Sequence, residues 1–267
     1  GVILKKHEVV KFVFTGNELT AVDIKNGERV ESKTFISNVH PAVTLSMIDP
    51  VHTKKAYRKR ISSLANTASS FSLYISLKEN TFPYINSNIY YLKNDNVWTV
   101  ADYDESSWPK GYMLITPATS KSDKWADCIN IVTYMKYEDV KQWENTTVEK
   151  RGDAYLQFKK EKTEKLLDLV EKRYPGLRSC IKNVYSSTPL TYRDYTYTQE
   201  GSLYGIQKDF NAAIETYIPP RTNIPNLYLT GQNINLHGIL GVIIGSMLTC
   251  AEYTGLNNLI RKINAAQ

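Results

Sequence analysis

The sequence is poor in the residues that build metal and redox sites. Its three cysteines, Cys128, Cys180 and Cys250, stand far apart and form no C-x-x-C. An odd, scattered set excludes a disulfide framework and a cysteine zinc site, and fits reduced thiols in a cytoplasm-like compartment. The four histidines, His7, His40, His52 and His237, make no H-x-x-x-H or similar ligand pair, so no protein-bound metal is expected. No methionine opens the chain, and its first apolar run, Val2 to Leu4, is three residues long with no cleavage pattern after it. That is not a signal peptide. Long runs of one charge are also missing. The 33 basic and 27 acidic residues give a net charge of +6, but the basic residues cluster only briefly, at Lys54-Lys55, Arg58-Lys59-Arg60 and Lys159-Lys160. A solvated basic surface is expected rather than a nucleic-acid stripe.

What is present reads as a globular α+β chain. Hydrophobic residues make up 42% and charged residues 22% of the 267, which excludes disorder and allows a sizeable core. Val9 to Phe14 and Leu19 to Ile24 alternate around a Thr15-Gly16-Asn17 turn, and a third strand is expected from Arg29 to Ile36 after Asn26-Gly27. A short helix follows from Val43 to Met47. Phe71, Leu73, Ile75 and Leu77 fall on one face of a half-buried strand, and Asn88 to Lys93, Gly111 to Thr116 and Cys128 to Met135 read likewise. Together they predict an antiparallel or mixed sheet of about five strands. Helical spacing of Leu166, Leu167, Val170 and Tyr174 then predicts a helix over 152–174, with Asp153 as its N-cap and Pro175-Gly176 as its stop. Ile181 to Tyr185 and Asn226 to Thr230 read as strands, and a last helix is expected from Ile239 to Tyr253.

The stretch NLYLTGQNINLHGILGVIIGSMLTCAEYTG, Asn226 to Gly255, admits three interpretations. No formal charge falls between Ile234 and Ala251, a length that approaches a membrane span. Asn235, His237, Ser246 and Thr249 inside it, with Gly238 and Gly241, argue against that. A buried core helix is the second, since Leu240, Ile243, Ile244, Met247, Leu248 and Ala251 cover much of the circumference. Yet a glycine in a helix costs roughly 1 kcal/mol against alanine. Several of them, Gly231, Gly238, Gly241 and Gly245, therefore point to close approach by another group. The third interpretation is a cofactor wall: a strand ending in glycine, a loop, and a helix start that presents unpaired N–H groups and a positive dipole end.

Four segments in order resemble the phytoene desaturase and retinol saturase family of FAD-dependent oxidoreductases, which are related to the amine oxidases. The first is Phe35 to Pro41, F-I-S-N-V-H-P, and the second is Arg173 to Leu177, R-Y-P-G-L. S-T-P-L-T-Y-R-D-Y, Ser187 to Tyr195, comes before E-G-S-L-Y-G, Glu200 to Gly205. I-P-N-L-Y-L-T-G-Q from Ile224 and H-G-I-L-G-V-I-I-G-S from His237 close the series. The family has S-N-A-D-P where this chain carries His40, so no role transfers to that position. The family also opens with a G-x-G-x-x-G grip on the FAD pyrophosphate, and no such fingerprint occurs here.

The resemblance implies an α+β substrate domain with a mixed, mainly antiparallel sheet and flanking helices. To this it adds the C-terminal strand and helix of a Rossmann-like FAD domain whose N-terminal half lies elsewhere in a longer polypeptide. Its segments would be a β-meander over 1–41 returning toward the FAD domain, a substrate-binding domain over 42–220 and a FAD-domain segment over 221–267. FAD would be the cofactor, contacted by Gly231, Gln232, Asn233, Gly238, Ile239 and Leu240. The substrate would be an isoprenoid-like lipid, carotenoid or retinol, changed at C=C or C–C bonds by hydride transfer. No catalytic side chain is identified. His237 is a candidate acid or base, or else a ring that holds the loop by a hydrogen bond. Tyr185, Tyr192, Tyr195, Tyr197 and Tyr204 line a pocket or are ordinary sheet-surface residues. The expected setting is cytoplasmic, with peripheral membrane contact motivated by the basic surface and by Trp98, Trp108, Trp125 and Trp143. Two rivals stay open: a non-catalytic lipid or prenyl carrier of the same superfamily, and a basic module binding glycans or nucleic acid through exposed aromatics.

Overall fold

The computed structural model describes residues 1–118 and 122–266. Its first elements are β1 (Val9–Thr15), β2 (Glu18–Ile24), β3 (Arg29–Glu31), β4 (Phe35–Ser37), α1 (Pro41–Ser46) and α2 (Lys55–Ser63). Next come β5 (Ser69–Leu77), β6 (Ile89–Leu92), β7 (Gly111–Ile115), β8 (Cys128–Met135), α3 (Asp153–Glu171) and α4 (Leu177–Cys180). The chain closes with β9 (Ile181–Ser187), α5 (Pro189–Thr196), α6 (Ala213–Thr216), β10 (Leu227–Leu229), α7 (Gly238–Thr254) and α8 (Leu256–Ala265). Two compact units result, one of Gly1–Thr67 with Tyr204–Gln267 and the other of Ala68–Leu203. These boundaries differ from the expected 42–220 segment. The reason is that Leu45, Ile48, Ile61, Ile206 and Ile218 bury themselves with Phe12, Leu19 and Leu229 in one core.

In the unit 68–203 the sheet order is β6-β7-β8-β5-β9, with every neighbour antiparallel. The structure is thus mixed α and β with mainly antiparallel sheets. Phe71, Leu73 and Ile75 point from the central strand β5 into a core shared with Ile129 and Ile131 of β8 and Leu166 and Val170 of α3. Truncating one such side chain costs about 2–5 kcal/mol. The other face of β5 carries Ser70 and Ser72, buried beside α5, with the Tyr192 hydroxyl 2.8 Å from Ser72 Oγ. Tyr185 and Tyr195 are exposed. Trp108 and Trp143 belong to this core, so of the four tryptophans only Trp98 stands fully in the open. Asp153 is not the cap of α3. Gly152 holds that position at φ +81, and Asp153 sits in the first turn, where its charge complements the helix dipole.

The other unit holds the β1-β2-β3 meander and a separate parallel pair, β4 with β10. The single strand expected over Arg29 to Ile36 is divided. Ser32 Oγ donates to the Thr34 carbonyl at 2.9 Å and turns the chain, and Phe35 then pairs with Leu227 rather than continuing along β2. Directly after β4, His40 caps α1. Its Nδ1 accepts from the Ala42 N–H at 3.2 Å, which leaves the Nε2 proton for Asn66 Oδ1 at 3.0 Å. The Nδ1 contact requires the neutral ring, and burial pushes the ring's pKa below the ordinary 6.5, although the bond to Asn66 opposes that shift. The unfolded chain therefore takes up the proton first, so this contribution is whole above pH 6.5 and is lost as pH falls below it. Stability is expected to drop by about 1 kcal/mol between neutral pH and about pH 5 on account of His40. Urea unfolding at the two pH values checks this. The His40→Asn variant should flatten the difference, and an unchanged pH slope would remove the assignment.

Candidate functional site

The two parallel strands end side by side, and the loops that leave their carboxyl ends meet. Thr230 N–H donates to the Ser37 carbonyl at 2.9 Å. One residue on, Gly231 adopts φ +93, and a Cβ there would lie 1.9 Å from Asn38 Oδ1. Any other residue here would be strained at that φ and would have to push the exposed Asn38 side chain aside. The loop then runs inward: Asn233 and Ile234 are buried, and Asn233 lies against Gly205, where a Cβ would stand 1.9 Å from Asn233 Oδ1. Lys208 fastens the loop from below. Its Nζ donates to the carbonyls of Asn233 at 3.0 Å, Ile234 at 2.8 Å and Thr216 at 3.0 Å. Burial, with the Arg60 guanidinium adding to it, pushes the amine down to about 8.

A cavity of about 390 Å³ opens beside this loop, bounded by Lys208, Phe210, Ile234, Asn235 and Leu236. Asn235 is the notable member, because neither its Oδ1 nor its Nδ2 has a hydrogen-bond partner although both atoms are buried. A buried amide left without partners costs about 1–3 kcal/mol, so such a group marks a place where a ligand or water completes the bonding. Three residues later the chain enters α7 at Gly238, φ +75. His237 occupies the N-cap but makes no side-chain cap, and its ring lies against Tyr204 with centroids 4.7 Å apart. It does not hold the loop by a hydrogen bond. No side chain caps the first turn of α7, and Ile239 there is 85% exposed.

Of the six residues expected at a cofactor, Gly231, Gln232 and Asn233 form the inward half of the loop, and Gly238, Ile239 and Leu240 the exposed helix start. Asn233 turns its side chain inward under Gly205. Asn235, Lys208 and Asn38 were missed. Asn235 was passed over as a polar interruption of an apolar run, and Lys208 and Asn38 come from distant segments.

Within this chain α7 is not buried all round. Only Gly241, Gly245 and Thr249 of α7 are buried. Thr249 Oγ1 donates to the Leu229 carbonyl at 3.1 Å, docking this narrow stripe on β10. Ile243, Ile244, Met247 and Leu248 lie exposed. The glycines also divide by cause. Gly241 is crowded by the chain's own Leu236, whose Cβ would stand 2.6 Å from an added Cβ, whereas Gly238 and Gly245 have open space. Among the described residues no single helix is long and apolar enough to cross a membrane, and α7 and α8 are bent by 117° at Gly255.

No protein-family profile matches the sequence. All-trans-retinol 13,14-reductase of Danio rerio is 28% identical over 228 residues, 78% of this chain and 37% of that protein. The Homo sapiens all-trans-retinol 13,14-reductase is 31% identical over 138 residues, 48% of this chain and 23% of its own length. The chain thus spans well under half the length of these curated relatives. A solved structure of an oxidoreductase from Methanosarcina mazei superposes with a TM-score of 0.55 over 90% of this chain and 48% of that one, at 16% identity. At that identity the likeness establishes the fold alone.

Proposed function

We propose that this chain, a homologue of the all-trans-retinol 13,14-reductases, is the C-terminal, substrate-binding portion of a FAD-dependent oxidoreductase. The proposed substrate is a retinol-, carotenoid- or other isoprenoid-like lipid, altered at C=C or C–C bonds. The observation that carries this is the loop from Gly231 to Leu240. It leaves the carboxyl end of a parallel strand pair, where ligands of open α/β sheets bind, and leads into an uncapped helix start.

The residues present fit the flavin. First-turn N–H groups that no side chain caps, those of Gly238, Ile239 and Leu240, and the dipole of a 17-residue helix favour the negative charge that a reduced isoalloxazine carries on its pyrimidine side. The orphaned Asn235 amide offers both a donor and an acceptor. FAD, when bound, would supply the hydride chemistry. The chain's own residues hold and orient: Gly231 lets the loop pass Asn38, and Lys208 fixes the carbonyls of Asn233 and Ile234. The apolar residues left exposed on α7 support a further half of the same polypeptide, one that packs over them and supplies the pyrophosphate grip.

The test is the visible absorption spectrum of the endogenous polypeptide, captured from its source with an antibody raised against this chain. Flavin bands on a protein well above 30.5 kDa are expected. A colourless protein of 30.5 kDa would end the flavin proposal and leave a binding module.

A further inference from the structure

Independently of the flavin proposal, the geometry points to a second ligand site in the unit 68–203: a pocket at the start of α3 that takes a phosphate monoester. The cavity holds about 280 Å³ and is bounded by Arg151, Tyr155, Lys159, Ser186 and Thr191, with Val148 and Leu156 as its apolar wall. Its charge is unbalanced. Arg151, 9% exposed, is paired with Asp194, and the same carboxylate also meets Arg193 at 2.9 Å. Two guanidinium groups share that carboxylate, Arg193 from outside the lining, while Lys159 and the exposed Glu149 are the other charged groups of the wall.

Lys159 is the anomaly. One turn along α3, Lys162 has Glu105 at 2.5 Å, but among the described residues no ion pair includes Lys159. Its ammonium lies 5.8 Å from the centroid of the Tyr155 ring, and burial, with the Arg151 charge adding to it, lowers its pKa. A desolvated cation repelled by its neighbour is stabilised by an incoming anion.

The donors around it select the kind of anion. Arg151 spends Nη1 on the Thr146 carbonyl and hydroxyl and one Nη2 proton on Asp194, which leaves only part of its guanidinium for an incoming anion. The donors that remain are the point-charge ammonium of Lys159, the unspent guanidinium protons and separate hydroxyls. Thr191 Oγ1 accepts from the Thr188 N–H at 3.2 Å and keeps its proton to donate, and Ser186 is a second hydroxyl of the lining. The N-cap Gly152 has no side chain to satisfy the first N–H groups of α3. Dispersed single donors suit a tetrahedral phosphate better than a planar carboxylate. The volume exceeds that of phosphate alone and leaves room for a small organic substituent against Val148 and Leu156. The exposed Glu149 at the rim sets a limit on total ligand charge.

The test is calorimetric titration of the chain with glycerol 3-phosphate and with inorganic phosphate at constant ionic strength, with glycerol as the neutral control. Saturable binding of glycerol 3-phosphate is expected, weaker by about tenfold or more in Lys159→Gln. Lys159→Arg should restore binding, and the exposed neighbour variant Lys160→Gln should leave it unchanged. Phosphatidate vesicles form a second arm: a Lys159-dependent response to them, with none to soluble phosphates, would place the phosphate on a lipid headgroup. Equal affinity in wild type and Lys159→Gln, or no saturable binding in either arm, would overturn the site.

Discussion

Valine at position 231 is expected to cost the chain about 2–3 kcal/mol and to lower flavin retention in the full-length polypeptide. Two effects add. Gly231 lies at φ +93, a region that β-branched residues avoid. Its Cβ would also fall 1.9 Å from Asn38 Oδ1, so either Asn38 or the strand exit must move. Because β4 and β10 end together there, displacement of one loop displaces the other. Gly238→Ala provides the contrast. It has a similar positive φ of +75 but open space around it, so only backbone strain of about 1 kcal/mol is expected. Urea unfolding of both variants, with flavin absorbance of the long form, makes the measurement. A Gly231→Val protein with wild-type midpoint and flavin content would show that the Asn38 contact does not constrain the loop.

The double variant Ile243→Asp with Met247→Asp is expected to split stability from assembly. Both side chains stand on the open face of α7, at 52% and 40% exposure. In the chain by itself each change should therefore stay within about 0.5 kcal/mol. In the whole polypeptide, under the proposal above, the same positions are covered by the remaining half. Two unpaired carboxylates there cost several kcal/mol, and the flavin should be lost. Gly241→Ala reverses the pattern. Leu236 would be pushed aside within this chain, so a loss of about 1–3 kcal/mol appears at once in the chain's own unfolding curve. Full flavin content in the double aspartate variant would show that this face stays open in the complete protein.

Legibility followed the range of the interactions involved. Strand β8 lies where its alternating pattern placed it, because period-two alternation is a local record of one face buried against a core. Helix α3 and the core positions Phe71, Leu73, Ile75, Leu166 and Val170 were legible for the same reason. Helices α2, α5 and α8 have no counterpart among the expected elements. Their signals were masked by a run of cations, by the glycine before Leu256 and by the flanking proline. At the candidate site, glycine at 231 and 238 was readable as a requirement for unusual backbone. What crowded Gly231 was not.

By itself the sequence determined where the chain alternates, where it coils into helix, and that a glycine-bearing strand–loop–helix junction closes it. It also carried the resemblance that leads to the proposed flavin. Only the tertiary structure decided that β4 leaves its meander to run parallel to β10, bringing Asn38 under Gly231. The same holds for Lys208 reaching the loop carbonyls and for the Asn235 amide lying buried without partners. It also decided which face of α7 is covered. An all-round apolar helix has no preferred side, so the choice fell to Gly241, Gly245 and Thr249, whose small side chains let the helix sit close on the unit. Periodicity records that a residue is apolar, whereas what stands opposite it is settled by segments far away in the chain.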